Sequence, residues 1–185
     1  MNTIYFALMV IEAFVILFEL RALMQSSSVD YYHKVTQAVV RLTEPLIRVI
    51  PFRNKSIGGF YFTSVLVAFV IALFGCALVV FTFIPNIPVS QGFWVSLYFG
   101  IICTIKCFGY MVLFLLLAQA LTSWLPSTRE WSYYFSQITN PLVSPIQKII
   151  PPIGMIDISL MILMLVIFGL DRIFLMIFGQ YWLLF

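Results

Sequence analysis

Four long apolar runs, at roughly 3–24, 57–84, 93–124 and 156–178, are separated by segments in which polar and charged side chains collect. A hydrocarbon core of ~30 Å takes about 20 helical residues to cross, and each run is long enough. The pattern therefore predicts an all-α membrane protein with four transmembrane helices. Pro85-Asn86-Ile87-Pro88 stops the second run and Gly179-Gln180 the fourth. The third is longer than crossing requires, which predicts tilt or a frayed end.

The two long connecting segments have a different period. Val35, Val39, Leu42, Leu46 and Val49 recur every three or four residues, opposed by Lys34, Gln37, Arg41, Glu44 and Arg48. Phe135, Ile138, Leu142, Ile146 and Ile149 repeat that stripe in the second half. Each segment reads as an amphipathic helix lying in the membrane interface, against the alternative of a helix packed on the spans. Asn140-Pro141 has the form of an N-cap and first turn, with a bend expected from Pro145 onward.

Self-comparison shows that the halves resemble one another. Arg21-Ala22-Leu23-Met24-Gln25 corresponds to Gln119-Ala120-Leu121-Thr122-Ser123, and Pro45–Pro51 to Pro145–Pro151, at a nearly constant offset. Ile57-Gly58 and Ile153-Gly154 then open the second and fourth runs alike. The layout is one membrane domain, 1–185, built of two tandem repeats, about 1–90 and 91–185. Two spans return the chain to its starting side, so the repeats are parallel rather than inverted.

Charge sets the orientation. Lys34, Arg41, Arg48, Arg53 and Lys55 lie in the first connector, and Arg129 and Lys148 in the second. The short lead, the 85–92 turn and the tail carry no lysine or arginine. By the positive-inside rule both connectors are cytoplasmic and both termini face outward. The lead Met1–Tyr5 lacks the positive region of a cleaved signal, so the first run is expected to be retained.

Composition closes off other classes. With 63% hydrophobic and 9% charged residues and a mean hydropathy of +1.08, the chain has too few polar groups to cover a water-soluble surface. Its net charge of +3 is too small to predict nucleic-acid binding. The bilayer itself is the expected partner, with room for a homo-oligomer or another membrane protein.

Charged residues inside a bilayer are costly and each needs a reason. The spans hold Glu12, Glu19 and Arg21 in the first, Lys106 in the third, and Asp171 and Arg172 in the fourth. The equal numbers of each sign predict pairing, with Glu12 matched in depth to Lys106 or Arg172. Glu12 and Lys106 otherwise line a polar path or ion site. Arg21 is close enough to the end of its span to snorkel out. In the second span Ser64, Ala68, Ala72 and Cys76 form a small-residue ridge, fit for a seam within the chain or between subunits. Cys76, Cys103 and Cys107 read as small buried residues, and His33 as a solvated interfacial one. No phosphate loop, nucleophile–base pair, haem motif or metal cluster stands in the sequence, so neither an enzyme nor a cofactor is expected.

The stretch Asn140-Pro141-Leu142-Val143-Ser144-Pro145-Ile146-Gln147-Lys148-Ile149-Ile150-Pro151, with Gly154, Ile156-Asp157 and Ser159 after it, resembles the YggT (YlmG) family of bacterial membrane proteins. The similarity covers nearly the whole chain, duplicated layout included. Pro141, Pro145, Lys148, Pro151, Gly154, Asp157 and Ser159 stand at its motif positions. The chain departs from the family pattern at Ser26, Arg41, Gln147 and Leu160. The resemblance implies a multi-pass protein of the bacterial inner membrane. It also implies a role in osmotic-shock tolerance through potassium or general ion homeostasis. Plastid relatives imply an alternative, a scaffold or assembly factor in nucleoid partitioning, division or cytochrome maturation. A channel or transporter remains a third reading and requires oligomerisation, because four spans rarely enclose a pathway alone.

Overall fold

The computed structural model describes residues 2–27, 29–50, 59–150 and 157–185. Its regular elements are all helical: α1 (Asn2–Ser26), α2 (Lys34–Ile47), α3 (Phe62–Phe83), α4 (Val89–Trp124), α5 (Arg129–Gln147) and α6 (Ile158–Phe178). Short 3-10 segments come after α4 and α6, at Pro126–Thr128 and Gly179–Leu184. Helices α1, α3, α4 and α6 are long and apolar enough to cross a membrane. They match the four runs read from the sequence, although α3 starts later than expected, at Phe62 behind an extended Tyr61. The start at 57–58 lies outside the described residues. Helix α4, at 36 residues, is about 54 Å long at ~1.5 Å per residue, so one of its ends projects past the core.

Helices α1, α3 and α4 form the packed part of the bundle, and α3 lies along both of the others. The small-residue ridge explains why. Ser64, Ala68, Ala72 and Cys76 are all buried, and Leu73 of the same helix meets Gly100 of α4. A Cβ at Gly100 would stand 3.2 Å from the Leu73 Cα, so the two backbones touch where a side chain would hold them apart. The ridge is therefore a seam within the chain. All three cysteines are free and buried, with the Cys103 and Cys107 sulfurs 3.9 Å apart on α4.

Helix α6 is different. It packs on α4 and α5 while its backbone touches neither α1 nor α3, and Met161, Leu165, Phe168, Ile173 and Met176 are exposed along it. Helices α1 and α4 both stop at one end of the bundle, the connector end, and the 84–88 turn marks the opposite or turn end. Asn86, at φ 64°, makes that turn in the left-handed region that asparagine tolerates.

The short helices correct two details of the sequence reading. Helix α5 opens at Arg129, twelve residues ahead of Pro141, so Asn140-Pro141 lies inside it and is not its cap. Tyr134 and Ile138 bury themselves in the core before the prolines are reached. That burial outweighs the ~3 kcal/mol an internal proline costs a helix. Helix α2 divides into three flanks instead of two. Thr36, Val39, Thr43 and Ile47 face the bundle, Leu42 and Leu46 are exposed on one side, and Gln37, Arg41 and Arg48 are exposed on the other.

Candidate functional site

Two polar clusters sit among the apolar helices. The first is at the connector end. Arg21, expected to snorkel outward, is instead buried at 5% exposure and held from above by α2. Its Nη1 donates to the Thr43 hydroxyl at 2.7 Å and to the Val40 carbonyl at 3.2 Å, while Nη2 meets the Glu44 carboxylate at 2.6 Å. The amphipathic spacing of α2 turns Thr43 inward with Glu44 beside it, and the guanidinium fork reaches both. At the same end neutral hydrogen bonds tie α3 to α1 and α5 to α4. Ser64 donates to Gln25 at 3.1 Å, the Tyr61 amide donates to Ser26 at 3.0 Å, and Thr139 donates to Gln119 at 2.6 Å.

The second cluster lies between α1, α4 and α6. Lys106 is buried at 4% exposure, within electrostatic range of both Glu12 and Asp171. Its ammonium donates to the Trp182 carbonyl, and the Trp182 indole donates to Asp171 at 2.8 Å. Gly179 makes this possible. Its φ of 60°, open to glycine at little cost, turns the chain at the end of α6 so that Trp182 folds back and stacks on Phe178. Lys106 feels both Glu12 and Asp171, but the expected Glu12–Lys106 ion pair is not formed among the described residues. Arg172 is exposed and makes no ion pair among the described residues. It is not the partner of Glu12.

Glu19 belongs to neither cluster. Its side chain is fully buried, and neither carboxyl oxygen has a hydrogen-bond partner. The thiol of Cys107 on α4 lies within electrostatic range of it. A carboxylate buried without a hydrogen-bond partner costs several kcal/mol.

The motif residues have a structural task that the sequence did not disclose. Asp157 caps α6, accepting from the Ser159 amide at 3.0 Å, and takes a hydrogen bond from the Gln147 side chain at 2.7 Å. The Ser159 hydroxyl donates to the Ile150 carbonyl at 2.8 Å. Together these bonds tie the end of α5 to the start of α6. Lys148 stands at the end of α5 as its C-cap and is exposed, Pro141 and Pro145 are inside α5, and Pro151 and Gly154 lie outside the described residues.

His33 was expected to be solvated, and it is a joint instead. Its Nδ1 accepts from the Val35 amide at 3.3 Å to cap α2, and its ring stacks on Tyr134 of α5 at 3.8 Å. Thr36 and the Tyr134 hydroxyl share a hydrogen bond of 2.9 Å beside it. Burial pushes the Tyr134 phenol above its ordinary pKa, and the bond to Thr36 works against that rise.

Four apolar spanning helices joined by short helices, with buried charges between them, define a multi-pass membrane protein. Comparison with known proteins gives the family. The family model described as CCB3/YggT matches residues 98–178. The chain is 34% identical over 177 residues to YggT of Escherichia coli (strain K12), covering 92% of this chain and 88% of that one. It is 30% identical to a Vibrio alginolyticus protein known by its place in the proC 3′ region, with 88% of each chain covered. A Haemophilus influenzae protein is 28% identical over 89% of this chain and 87% of its own. No solved structure matches. The chain belongs to the YggT family.

Proposed function

We propose that this chain is a non-enzymatic protein of the bacterial inner membrane that acts in osmotic-shock tolerance through potassium or ion homeostasis. The observation that supports this most is the charge kept inside the bundle: Lys106 between Glu12 and Asp171, with Glu19 buried and unpartnered one helical stretch away. Intramembrane charges are costly enough to be retained mainly for structure or for ions. In this reading the two halves are parallel repeats. Their short helices α2 and α5 lie in the cytoplasmic interface and the termini face outward. A deletion strain shifted to high salt at limiting potassium tests it. Slow recovery with low cell potassium, restored by the wild-type chain and not by Glu12→Gln or Glu19→Gln, is the expected result. Normal growth and potassium content would sink it.

A second reading, a membrane scaffold or assembly factor, is favoured by α6, which spends little of its apolar surface on its own chain. It predicts one stoichiometric partner on co-purification, lost when bulky polar residues are placed along that surface at Leu165 and Phe168.

A further inference from the structure

A cleft of about 840 Å³ opens at the connector end between α1 and the polar flank of α2. Three arginines line it, Arg21, Arg41 and Arg48, with Glu44 as its acid. Arg21 is committed to Thr43, Val40 and Glu44, so it fixes positive charge in the wall without being available to a ligand. Arg41 and Arg48 are exposed, and neither side chain makes a hydrogen bond or ion pair to another described residue. They stand seven residues apart on one side of α2, about 10 Å at ~1.5 Å per residue. The lining therefore holds two cations in excess, both presented to whatever enters.

The rest of the lining says what that is. Met24, Val29, Val40 and Pro45 give the cleft an apolar wall next to its guanidinium groups. On the opposite flank of α2, Leu42 and Leu46 are 66% and 52% exposed, which suits acyl chains and not water. A helix with one exposed flank apolar and the other cationic settles where hydrocarbon meets headgroups, and phosphate is the anion of that layer. Arginine binds phosphate through paired N–H donors. We infer that this cleft holds the phosphate of an anionic phospholipid headgroup, taken by Arg41 and Arg48, with the glycerol end of the lipid on the Met24–Val40 wall. The inference rests on the interfacial placement of α2 proposed above.

The test uses the full-length chain, purified, stripped of lipid and titrated in native mass spectrometry with phosphatidylglycerol or phosphatidylcholine. Phosphatidylglycerol is expected to bind first and at least tenfold more tightly. Arg41→Gln with Arg48→Gln should weaken it about tenfold or more, given that each cation near a membrane surface is worth roughly 1 kcal/mol. Arg41→Lys with Arg48→Lys should keep part of the binding, since the charge stays while the paired donors are lost. Lys34→Gln with Lys148→Gln removes two cations outside the cleft and should change little. Unshifted melting curves show that the variants fold. Equal binding of the two lipids, or an equal loss in the outside pair, overturns the inference. Displacement of the lipid by millimolar inorganic phosphate assigns the cleft to a soluble phosphate and overturns the lipid. A polarity-sensitive label at Leu46 reads the placement of α2 separately, so an apolar label with no lipid preference fails the cleft alone.

Discussion

Glu19 and Lys106 are both buried in the bundle, yet their circumstances are opposite. Lys106 has Glu12 and Asp171 within electrostatic range and a carbonyl to donate to, whereas both oxygens of Glu19 lack a hydrogen-bond partner among the described residues. Removing an unsatisfied buried polar group recovers its desolvation cost, typically ~1–3 kcal/mol. Glu19→Met should therefore raise the melting temperature of the purified chain or leave it unchanged. A clear drop would mean that the carboxyl has a ligand or partner in the membrane. Around Lys106 the sign reverses. Glu12→Gln or Lys106→Met alone should destabilise, since breaking one member of a buried charge group typically costs ~3–5 kcal/mol. The double variant should lose less than the sum, and strict additivity in that cycle would show that Glu12 and Lys106 are not coupled. The sequence named these residues because charge in an apolar run is conspicuous, and matched depth along the helices suggested Glu12 as a neighbour of Lys106. It could not supply Arg21 with its partners, because Thr43 and Glu44 come from a connector whose docking angle no periodicity encodes. Nor could it foresee that Trp182 would fold back between Lys106 and Asp171.

Spans were legible at the element scale because hydropathy and length decide them together. The start of α5 was misread, since Asn-Pro is a good cap signal and only tertiary burial of Tyr134 and Ile138 overrides it. Interhelical spacing gives two further expectations. The α3–α4 seam depends on Gly100, where Leu73 backbone atoms leave 3.2–3.3 Å for a Cβ. Gly100→Val, with two further carbons, must push the helices apart, and a loss of about 1–3 kcal/mol is expected from overpacking. Thermal unfolding measures it, with Gly109→Val as the comparison, because a Cβ there meets only Ile167 at 4.0 Å. The motif at the start of α6 is a cap in the strict sense, with Asp157 accepting from Ser159 and Gln147. Asp157→Ala should cost about 1 kcal/mol and speed amide exchange in the first turn of α6. Asp157→Asn, which keeps an acceptor oxygen, should cost less. Equal exchange in all three proteins would show that Asp157 is not the cap.

At the scale of the whole molecule, helix order repeats, long–short–long twice over, but the packing does not. Helix α3 is wedged between α1 and α4, whereas its counterpart in order, α6, keeps to one side. The residues differ accordingly: Ser64, Ala68, Ala72 and Cys76 form a buried small-residue ridge on α3, whereas the corresponding positions of α6, Leu160, Met164, Phe168 and Arg172, hold no small residue, and Phe168 and Arg172 are exposed. What the helix order does constrain is direction. Helices α1 and α4 must run the same way through the bilayer, because α3 returns the chain between them. The 84–88 turn is therefore on the side opposite both connectors, whichever side that is. The seven lysines and arginines of the connectors, against none in the turn, predict that the connectors are cytoplasmic. Single cysteines test this against a quiet background, since Cys76, Cys103 and Cys107 are buried and are replaced by alanine beforehand. Gln91→Cys, exposed at the turn end, should react with a membrane-impermeant maleimide in intact spheroplasts. Gln37→Cys on α2 and Ser127→Cys after α4, both exposed, should react only once the membrane is opened. Reaction of Gln37→Cys and Ser127→Cys in closed cells with Gln91→Cys protected would invert the protein, leaving the fold intact and the charge rule refuted for this chain. If Gln37→Cys and Ser127→Cys report opposite sides, α1 and α4 do not run parallel, and the two-unit architecture itself falls.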